Sequence, residues 1–281
     1  MSLNNKTGIL YIVSTPIGNL KDISIRALEV LRNVNLIACE DTRKSRILLK
    51  HWSIFTSVIS LHRFSEVRKS QIVLDRLKKG KDIALITDAG TPAISDPGNR
   101  LVRSALDEGI RVVPIPGPSS IIAALSVSGS DCSSFTYLGF VPKKDDQRRS
   151  FFRSLAQEKR TCVFFDTPQR IKDTLVIASE ILGSRRMIVA RELTKIHEEI
   201  ICGTAQSILN EFSSREAVKG ELVIVVEASS QLEPQIEIEQ AVRLLIDEGF
   251  SGKLLAQEAQ ARWGIKKTQA YNKYIELKDK K

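Results

Sequence analysis

The densest stretch of chemistry-bearing residues is Thr87-Asp88-Ala89-Gly90-Thr91-Pro92-Ala93-Ile94-Ser95-Asp96-Pro97-Gly98. It follows the apolar, β-branched run Ile83–Thr87, which reads as a strand, so it stands at a strand's C-terminal end, where open α/β sheets bind ligands. Glycine lets a backbone approach a ligand closely, and proline fixes the path of a loop. The same run would also serve as a rigid turn in which an aspartate caps the next helix.

Other turns repeat this placement. Ser14-Thr15-Pro16-Ile17-Gly18-Asn19-Leu20 ends the first strand. It is neither a dinucleotide fingerprint nor a phosphate loop, because Pro16 removes an amide where a pyrophosphate cradle needs one. A cofactor without a phosphate group fits better, and S-adenosylmethionine is one. Glu40-Asp41-Thr42-Arg43-Lys44 follows the second strand, with a carboxylate for proton handling and two cations for phosphates, or with Asp41 as a helix cap and the cations on a solvated face. His62 and Arg63 end the third strand. In the second half, Phe164–Arg170, Ala190–Lys195 followed by His197–Glu199, and Lys219–Glu221 all stand at strand ends, which suggests a cleft between two sheets.

These turns require a scaffold of alternating elements. Gly8–Val13, Asn35–Cys39, Val58–Leu61, Ile83–Thr87 and Val112–Ile115 read as strands; Ser24–Asn33, Thr42–Trp52, Glu66–Lys79 and Asn99–Glu108 read as amphipathic helices. Ser65 is placed to cap the third helix, and Gly109 to stop the fourth. This rhythm predicts a mostly parallel sheet covered on both faces. Three prolines in Pro114–Pro118 break it before the apolar helix Ile121–Val127. Phe135–Phe140, Thr161–Phe165, Met187–Ala190, Glu199–Cys202 and Glu221–Val226 continue as strands. The gap Arg191–Glu198 is too short for a helical crossover, so a mixed sheet is expected there. Gln231–Gln235 reads as a linker to helices Ile238–Glu248, Lys253–Ala261 and Thr268–Lys278. The expected division is an N-terminal α/β domain over 1–116, a second α/β domain over 117–230 and a small basic helical domain over 235–281.

Of 281 residues 42% are hydrophobic and 27% charged, an ordinary globular composition. No apolar run approaches the ~20 residues that span a bilayer, and Met1–Lys6 lacks the apolar core of a secretory signal, so a cytoplasmic protein without a membrane partner is expected. Cys39, Cys132, Cys162 and Cys202 have no ligand spacing; small buried side chains, and no metal, are expected. A net charge of +9 favours a polyphosphate partner.

The series TPIGNL, EDTR, DAGTPAISDPG, PGPSS, FFDTPQR, ARELTK and KGELVIVV, in this order from about Gly8 to Val226, resembles the S-adenosylmethionine-dependent tetrapyrrole methylase superfamily. Within it the similarity is greatest to the branch that methylates a cytidine ribose 2′-hydroxyl, at nucleotide 1402 in the decoding region of 16S ribosomal RNA. The resemblance implies two α/β domains with S-adenosylmethionine in the cleft between them, and a homodimer. By motif position, cofactor contacts fall at Ile17, Gly90, Thr91, Ile94, Ser119, Ser120, Phe165, Asp166 and Leu193, with Gly220 and Glu221 as further candidates. Two departures stand out. Gly90-Thr91-Pro92 replaces the Gly-Asp-Pro of tetrapyrrole enzymes, which speaks against a corrin or sirohaem precursor as substrate. His62-Arg63-Phe64-Ser65-Glu66 replaces His-x-x-Asn-Glu, so an expected amide is missing.

Transfer to a ribose hydroxyl is an in-line displacement, and alignment alone can lower its barrier by roughly 7–11 kcal/mol. The hydroxyl is a poor nucleophile and needs a base. Asp41, Glu40 and Glu192 are candidates, with Lys195 or Arg191 to steady the alkoxide. RNA contacts are expected at Arg43 and Lys44, at Arg148 and Arg149, at Arg191, and at Lys266 and Lys267. Lys143–Arg160 holds seven Lys/Arg against three acids, and Arg262–Lys281 seven against two. The tail resembles a helix-turn-helix-like unit that grips phosphates, or is a solubilising cap in which Tyr271, Tyr274 and Ile275 simply pack. Two rival functions remain: a tetrapyrrole-precursor methyltransferase, and a non-catalytic ribosome-assembly factor that binds RNA. Binding of the methyl donor separates the last from the others.

Overall fold

A computed structural model describes residues 7–62, 66–229 and 236–278. Met1–Lys6, the proposed cap Ser65 with Arg63 and Phe64, and the linker Gln231–Gln235 lie outside the described residues. The chain begins as β1 (Leu10–Val13), α1 (Ile25–Asn33), β2 (Leu36–Cys39), α2 (Thr42–His51), β3 (Val58–Ser60), α3 (Glu66–Lys78), β4 (Ile83–Ile86), α4 (Asn99–Asp107) and β5 (Val112–Ile115). The five strands form one parallel sheet in the order β3-β2-β4-β1-β5. Central strands β2 and β4 are buried at every position because helices cover both faces. Alternation then sorts their side chains: Ile37 and Cys39 pack with Ala27 and Leu31 of α1, whereas Leu36 and Ala38 pack with Leu77 and Leu101 of α3 and α4.

The second sheet follows α5 (Ser120–Ser128). Its elements are β6 (Phe135–Phe140), α6 (Asp145–Ala156), β7 (Thr161–Asp166), α7 (Ile171–Leu182), β8 (Arg186–Arg191), β9 (Glu199–Thr204), α8 (Ala205–Ser213) and β10 (Leu222–Val226). The order is β6-β7-β10-β8-β9, with β6 and β7 parallel and the other pairs antiparallel. The mixed sheet expected from the short 191–198 gap is present. On one face Phe152, Phe164 and Phe212, each fully buried, anchor α6, α7 and α8; such a side chain contributes up to about 3 kcal/mol of burial. The other face is covered by α5 together with Ile17 and Leu193. Ile17 comes from the first half of the chain, so this face is where the two halves meet. Helices α9 (Ile238–Asp247), α10 (Gly252–Trp263) and α11 (Lys267–Lys278) enclose a core of their own around Leu245, Leu255 and Ala259. Among the described residues no helix is long and apolar enough to cross a membrane.

Gly109 acts where the sequence places it, and the structure adds two serine caps. Ser24 caps α1, Ser119 caps α5, and Gly109 takes φ +69° just beyond α4. Pro114 lies inside β5, as the strand reading of Val112–Ile115 requires; β5 is a sheet edge paired with β1, where a missing amide on the open side costs no ladder bond. One cysteine expectation is corrected. Cys202 is exposed on the edge strand β9 and is not a packed side chain, although Cys39 and Cys162 are buried.

Candidate active site

The loop after β4 is stitched to two neighbouring turns. Thr15 and Gly90 exchange backbone hydrogen bonds of 2.9 Å each, and Thr15 Oγ1 donates to Thr87 O at 3.0 Å. Thr91 Oγ1 donates to Pro118 O at 3.3 Å and lies 2.9 Å from Ser14 Oγ. Thr91 is thus engaged between two turns, and as a hydroxyl it cannot act as the carboxylate that tetrapyrrole enzymes place there. Gly90 has φ +80°, and Ala93 and Ser95 also take left-handed backbone, a strain of order 1–3 kcal/mol each that persists only when surroundings enforce it. The enforcing contacts are visible. The Ser95 hydroxyl hydrogen-bonds the Tyr137 hydroxyl on β6, and Glu66 Oε1 accepts from Gly98 N (3.0 Å) and Arg100 N (3.3 Å). Gly98 is the N-cap of α4 and has no side chain to offer, so Glu66 caps that helix from α3. Asp96 is therefore not the helix cap that the sequence allowed.

Between this loop and the second sheet lies a cavity of about 380 Å3. Ile17, Gly90, Thr91, Ile94, Ser119, Ser120, Phe165, Asp166, Leu193, Gly220 and Glu221, which the sequence places in six separate turns, all line it. So does Glu40. Side chains not singled out from the sequence are Asp88, Asp96, Phe140 and Val223. Among the described residues five carboxylates line the cavity (Glu40, Asp88, Asp96, Asp166 and Glu221), and not one lysine or arginine does. A pyrophosphate is a poor fit for such a wall; a ligand carrying positive charge is a good one. S-adenosylmethionine, with a sulfonium and an ammonium on an otherwise apolar and hydroxyl-bearing frame, matches this donor set.

The carboxylates differ in their partners. Asp88 accepts from Asp41 N at 3.1 Å and from Lys44 Nζ at 2.9 Å. Asp166, wholly buried, accepts from Thr167 N at 2.7 Å and pairs with Arg170 at 3.1 Å; burial nonetheless pushes its pKa up. Glu221 pairs with Lys195 at 3.2 Å. Glu40 accepts from Thr87 Oγ1 at 3.2 Å. Asp96 has burial against it, opposed by the Thr87 hydroxyl and reinforced by the charges of Glu40 and Asp88, and its pKa is raised to about 6.

Of the four catalytic candidates, only Glu40 lines the cavity. Asp41 caps α2 through Arg43 N (2.8 Å) and is held by the Arg43 guanidinium at 3.2 and 2.7 Å, which keeps its carboxyl far below the usual range and makes it a weak base. Glu192 and Lys195 pair with each other at 2.8 Å, and that hydrogen bond lowers the Glu192 pKa. Their turn fits against the two halves by omission of side chains: a Cβ on Gly18 would meet Lys195 Cγ at 2.5 Å, and one on Gly220 would meet Glu192 Cγ at 2.3 Å. Glu192 and Lys195 thus hold a latch that delivers Leu193 to the cavity.

The cationic candidates also divide. Arg43 and Lys44 are exposed at the rim, though each is paired with a carboxylate. Lys266 and Lys267 are exposed where α11 begins. Arg149 is partly exposed and pairs with Glu180 at 2.6 Å. Arg191 is spent on Glu199 (2.8 Å) and Lys219 O (3.1 Å). Arg148 is only 3% exposed and donates to Pro142 O (3.3 Å) and Lys143 O (2.9 Å); it ties down the loop before α6 and has no face for RNA.

With this geometry in place, the relationship to known proteins is direct. Residues 9–209 match the model of the tetrapyrrole (corrin/porphyrin) methylases, and the chain belongs to that family. Its relatives include the ribosomal RNA small subunit methyltransferase I of Haemophilus influenzae, 44% identical over 96% of this chain and 97% of that one. The protein of the same name from Halalkalibacterium halodurans is 39% identical over 95% and 94%. Among solved structures, diphthine synthase superimposes with a TM-score of 0.62 at 17% identity, covering 79% of this chain and 90% of that one. A cobalt precorrin-4 methyltransferase of cobalamin biosynthesis gives 0.59 at 18%, covering 78% and 94%. At such identities these two establish the fold alone.

Proposed function

We propose that the chain transfers a methyl group from S-adenosylmethionine to the ribose 2′-hydroxyl of a cytidine in 16S ribosomal RNA, at nucleotide 1402. The observation that carries this reading is the cavity itself, to which six turns bring eleven anticipated residues, and whose lining among the described residues holds five carboxylates and no lysine or arginine. The donor supplies a methyl group activated on a positively charged sulfur. On this side of the reaction Phe165, Leu193 and Val223 exclude water, the Ser119 and Ser120 turn and the Gly90–Thr91 backbone orient the donor, and the carboxylates favour its charge.

The acceptor is argued from charge. An anionic tetrapyrrole precursor would meet the same carboxylates unfavourably, whereas an RNA strand keeps its phosphates outside, on Arg43, Lys44, Lys266 and Lys267, and sends in one neutral nucleoside. The near full-length relatives named as small-subunit ribosomal RNA methyltransferases support the same acceptor. The reading includes domains at 1–116, 117–230 and 235–281, a cytoplasmic homodimer, and a tail that grips the ribosomal substrate. Incubation with labelled S-adenosylmethionine and unmodified small subunits, followed by mapping of the label, tests it. Label on a cytidine ribose is expected; transfer to a porphyrinoid with none to RNA overturns it. For the tail, removal of residues 235–281 is expected to weaken subunit binding, and undiminished affinity and activity would remove it from the account.

A further inference from the structure

We infer, resting on the methyl-transfer reading above, that Phe140 is the platform on which the base of the acceptor nucleotide stacks, with Lys143 and Lys144 beside it taking the neighbouring phosphates. Most large apolar side chains around the cavity are buried, Ile17, Ile121, Leu193 and Val223 among them. Among the described residues of the lining two are exposed. Ile94, at 47%, falls to the donor by motif position, whereas Phe140, at 54%, matches no donor contact.

Phe140 reaches this wall through an irregularity in β6. Tyr137 pairs with Val163 of β7, and a regular strand would go on to pair Gly139 with Phe165. The pairing slips by one residue instead, so that Phe140 lies opposite Phe165. Paired residues share a face, and an inserted residue reverses the alternation beyond it. Val163 and Phe165 belong to the face that meets α5, so the bulge turns both Tyr137 and Phe140 onto the cavity side. Gly139 makes the bulge at φ +70°, a backbone that glycine enters without steric cost. Regular alternation would have sent Phe140 to the opposite face, where Phe164 packs with α6 and α7.

The backbone that follows the ring is held at three successive carbonyls. Val141 N donates to Phe165 O at 2.9 Å, and Val141 O accepts from Arg170 at 3.1 Å. The buried guanidinium of Arg148 donates to the next two carbonyls, those of Pro142 and Lys143. The ring leans on Phe165, with centroids 5.1 Å apart, and keeps an open surface. A ring fixed in this way loses little freedom when a base stacks on it. Lys143 and Lys144 are exposed, and among the described residues neither pairs with a carboxylate. Aromatic faces for bases with cations alongside for phosphates are how proteins hold single strands.

Size places the acceptor at this edge. A cavity of about 380 Å3 is near the lower end of what one drug-sized ligand fills, so the donor takes it and the acceptor base stays at the mouth. For its 2′-hydroxyl to enter, the nucleotide must leave the stack of its neighbours, and a ring at the mouth replaces part of what is lost. Stacking tolerates any base, so Phe140 supplies position and not the choice of cytidine.

The test uses the full-length protein, labelled S-adenosylmethionine and unmodified small subunits. Phe140→Ala is expected to lower kcat/KM for subunits by about five- to a hundredfold, chiefly through KM, while donor affinity by calorimetry stays within about threefold. Phe140→Tyr and Phe140→Trp should keep most of the activity. Phe140→Leu, similarly apolar but without a π face, should fall with the alanine variant. Joint Lys143→Ala and Lys144→Ala substitution should lower the salt slope of subunit binding by about 1.4, at roughly 0.7 per charge; an unchanged slope overturns the phosphate contacts. The platform is overturned by an alanine variant within about twofold of the parent, or by a leucine variant equal to it. It is also overturned by a tenfold loss of donor affinity in Phe140→Ala, which gives the ring to the donor, or by a changed oligomeric state in light scattering, which gives it to a contact between copies. A parent that labels no RNA removes the functional reading and the platform together. A parent that labels a cytidine ribose, with the alanine variant its equal, removes the platform alone.

Discussion

On the side of the first sheet, the cavity is walled by loop ends that carry Glu40, Asp88 and Asp96, whereas the second sheet offers one face of its strands with Phe165, Ala190 and Val223. The first wall is made of turns held in strained backbone by contacts from three elements; the second is continuous with a buried core. A parallel sheet ends all its strands at one edge and gathers polar turns there, while a sheet packed against a helix contributes apolar area. The emphasis differs accordingly: three of the five carboxylates, Glu40, Asp88 and Asp96, stand on the first wall, while the second adds Asp166 and Glu221 to a largely apolar surface suited to excluding water.

Substitutions can break or sharpen this contrast. The largest effect is expected for Gly220→Ala, where a left-handed φ of +95° and a Cβ 2.3 Å from Glu192 Cγ act together. Backbone strain of order 1–3 kcal/mol and the displaced Glu192–Lys195 latch should lower stability in denaturant melts and weaken donor binding by more than tenfold. Phe165→Ala removes area from the second wall only. About 2 kcal/mol of donor affinity should be lost by calorimetry; an unchanged affinity would mean that the second wall does not hold the donor.

Asp96→Asn is expected to stabilise the fold. Because burial and neighbouring carboxylates raise the Asp96 pKa to about 6, folding favours the protonated form, and its contribution is lost as pH rises through 6. The neutral amide should therefore gain about 1–2 kcal/mol at pH 7.5, seen as a melting temperature higher by a few degrees, and nothing below pH 4 where both side chains are uncharged. The smallest effect is expected for Lys44→Ala. Its side chain is 65% exposed, so stability should be nearly unchanged, while the salt dependence of RNA binding should lose about one unit of slope.

Much of this arrangement was legible in the sequence, for reasons that also explain what was not. Strand and helix positions followed from periodicity, and the mixed second sheet followed from a gap too short for a crossover. The cavity-lining residues were found by the family resemblance, since turns far apart in sequence carry no sign of their convergence. Capping could not be assigned from sequence. Asp41 and Asp96 both precede helices after strands, yet Asp41 is consumed by α2 and Arg43, while Asp96 caps no helix because Glu66 reaches over from α3. Charge counting misjudged Arg148 for a similar reason. In the run Arg148-Arg149 one guanidinium is buried against backbone carbonyls and the other is at the surface, and only the helical phase of α6 decides which.

The central claim, that the carboxylate-lined cavity between the sheets holds the methyl donor, is tested most directly by a crystal structure of the protein with S-adenosylhomocysteine. The account predicts density for the ligand between the Gly90–Asp96 loop and β10, in contact with Thr91, Ser119, Phe165 and Leu193. Density at any other site, or an empty cavity in crystals grown with the ligand in excess, would contradict it.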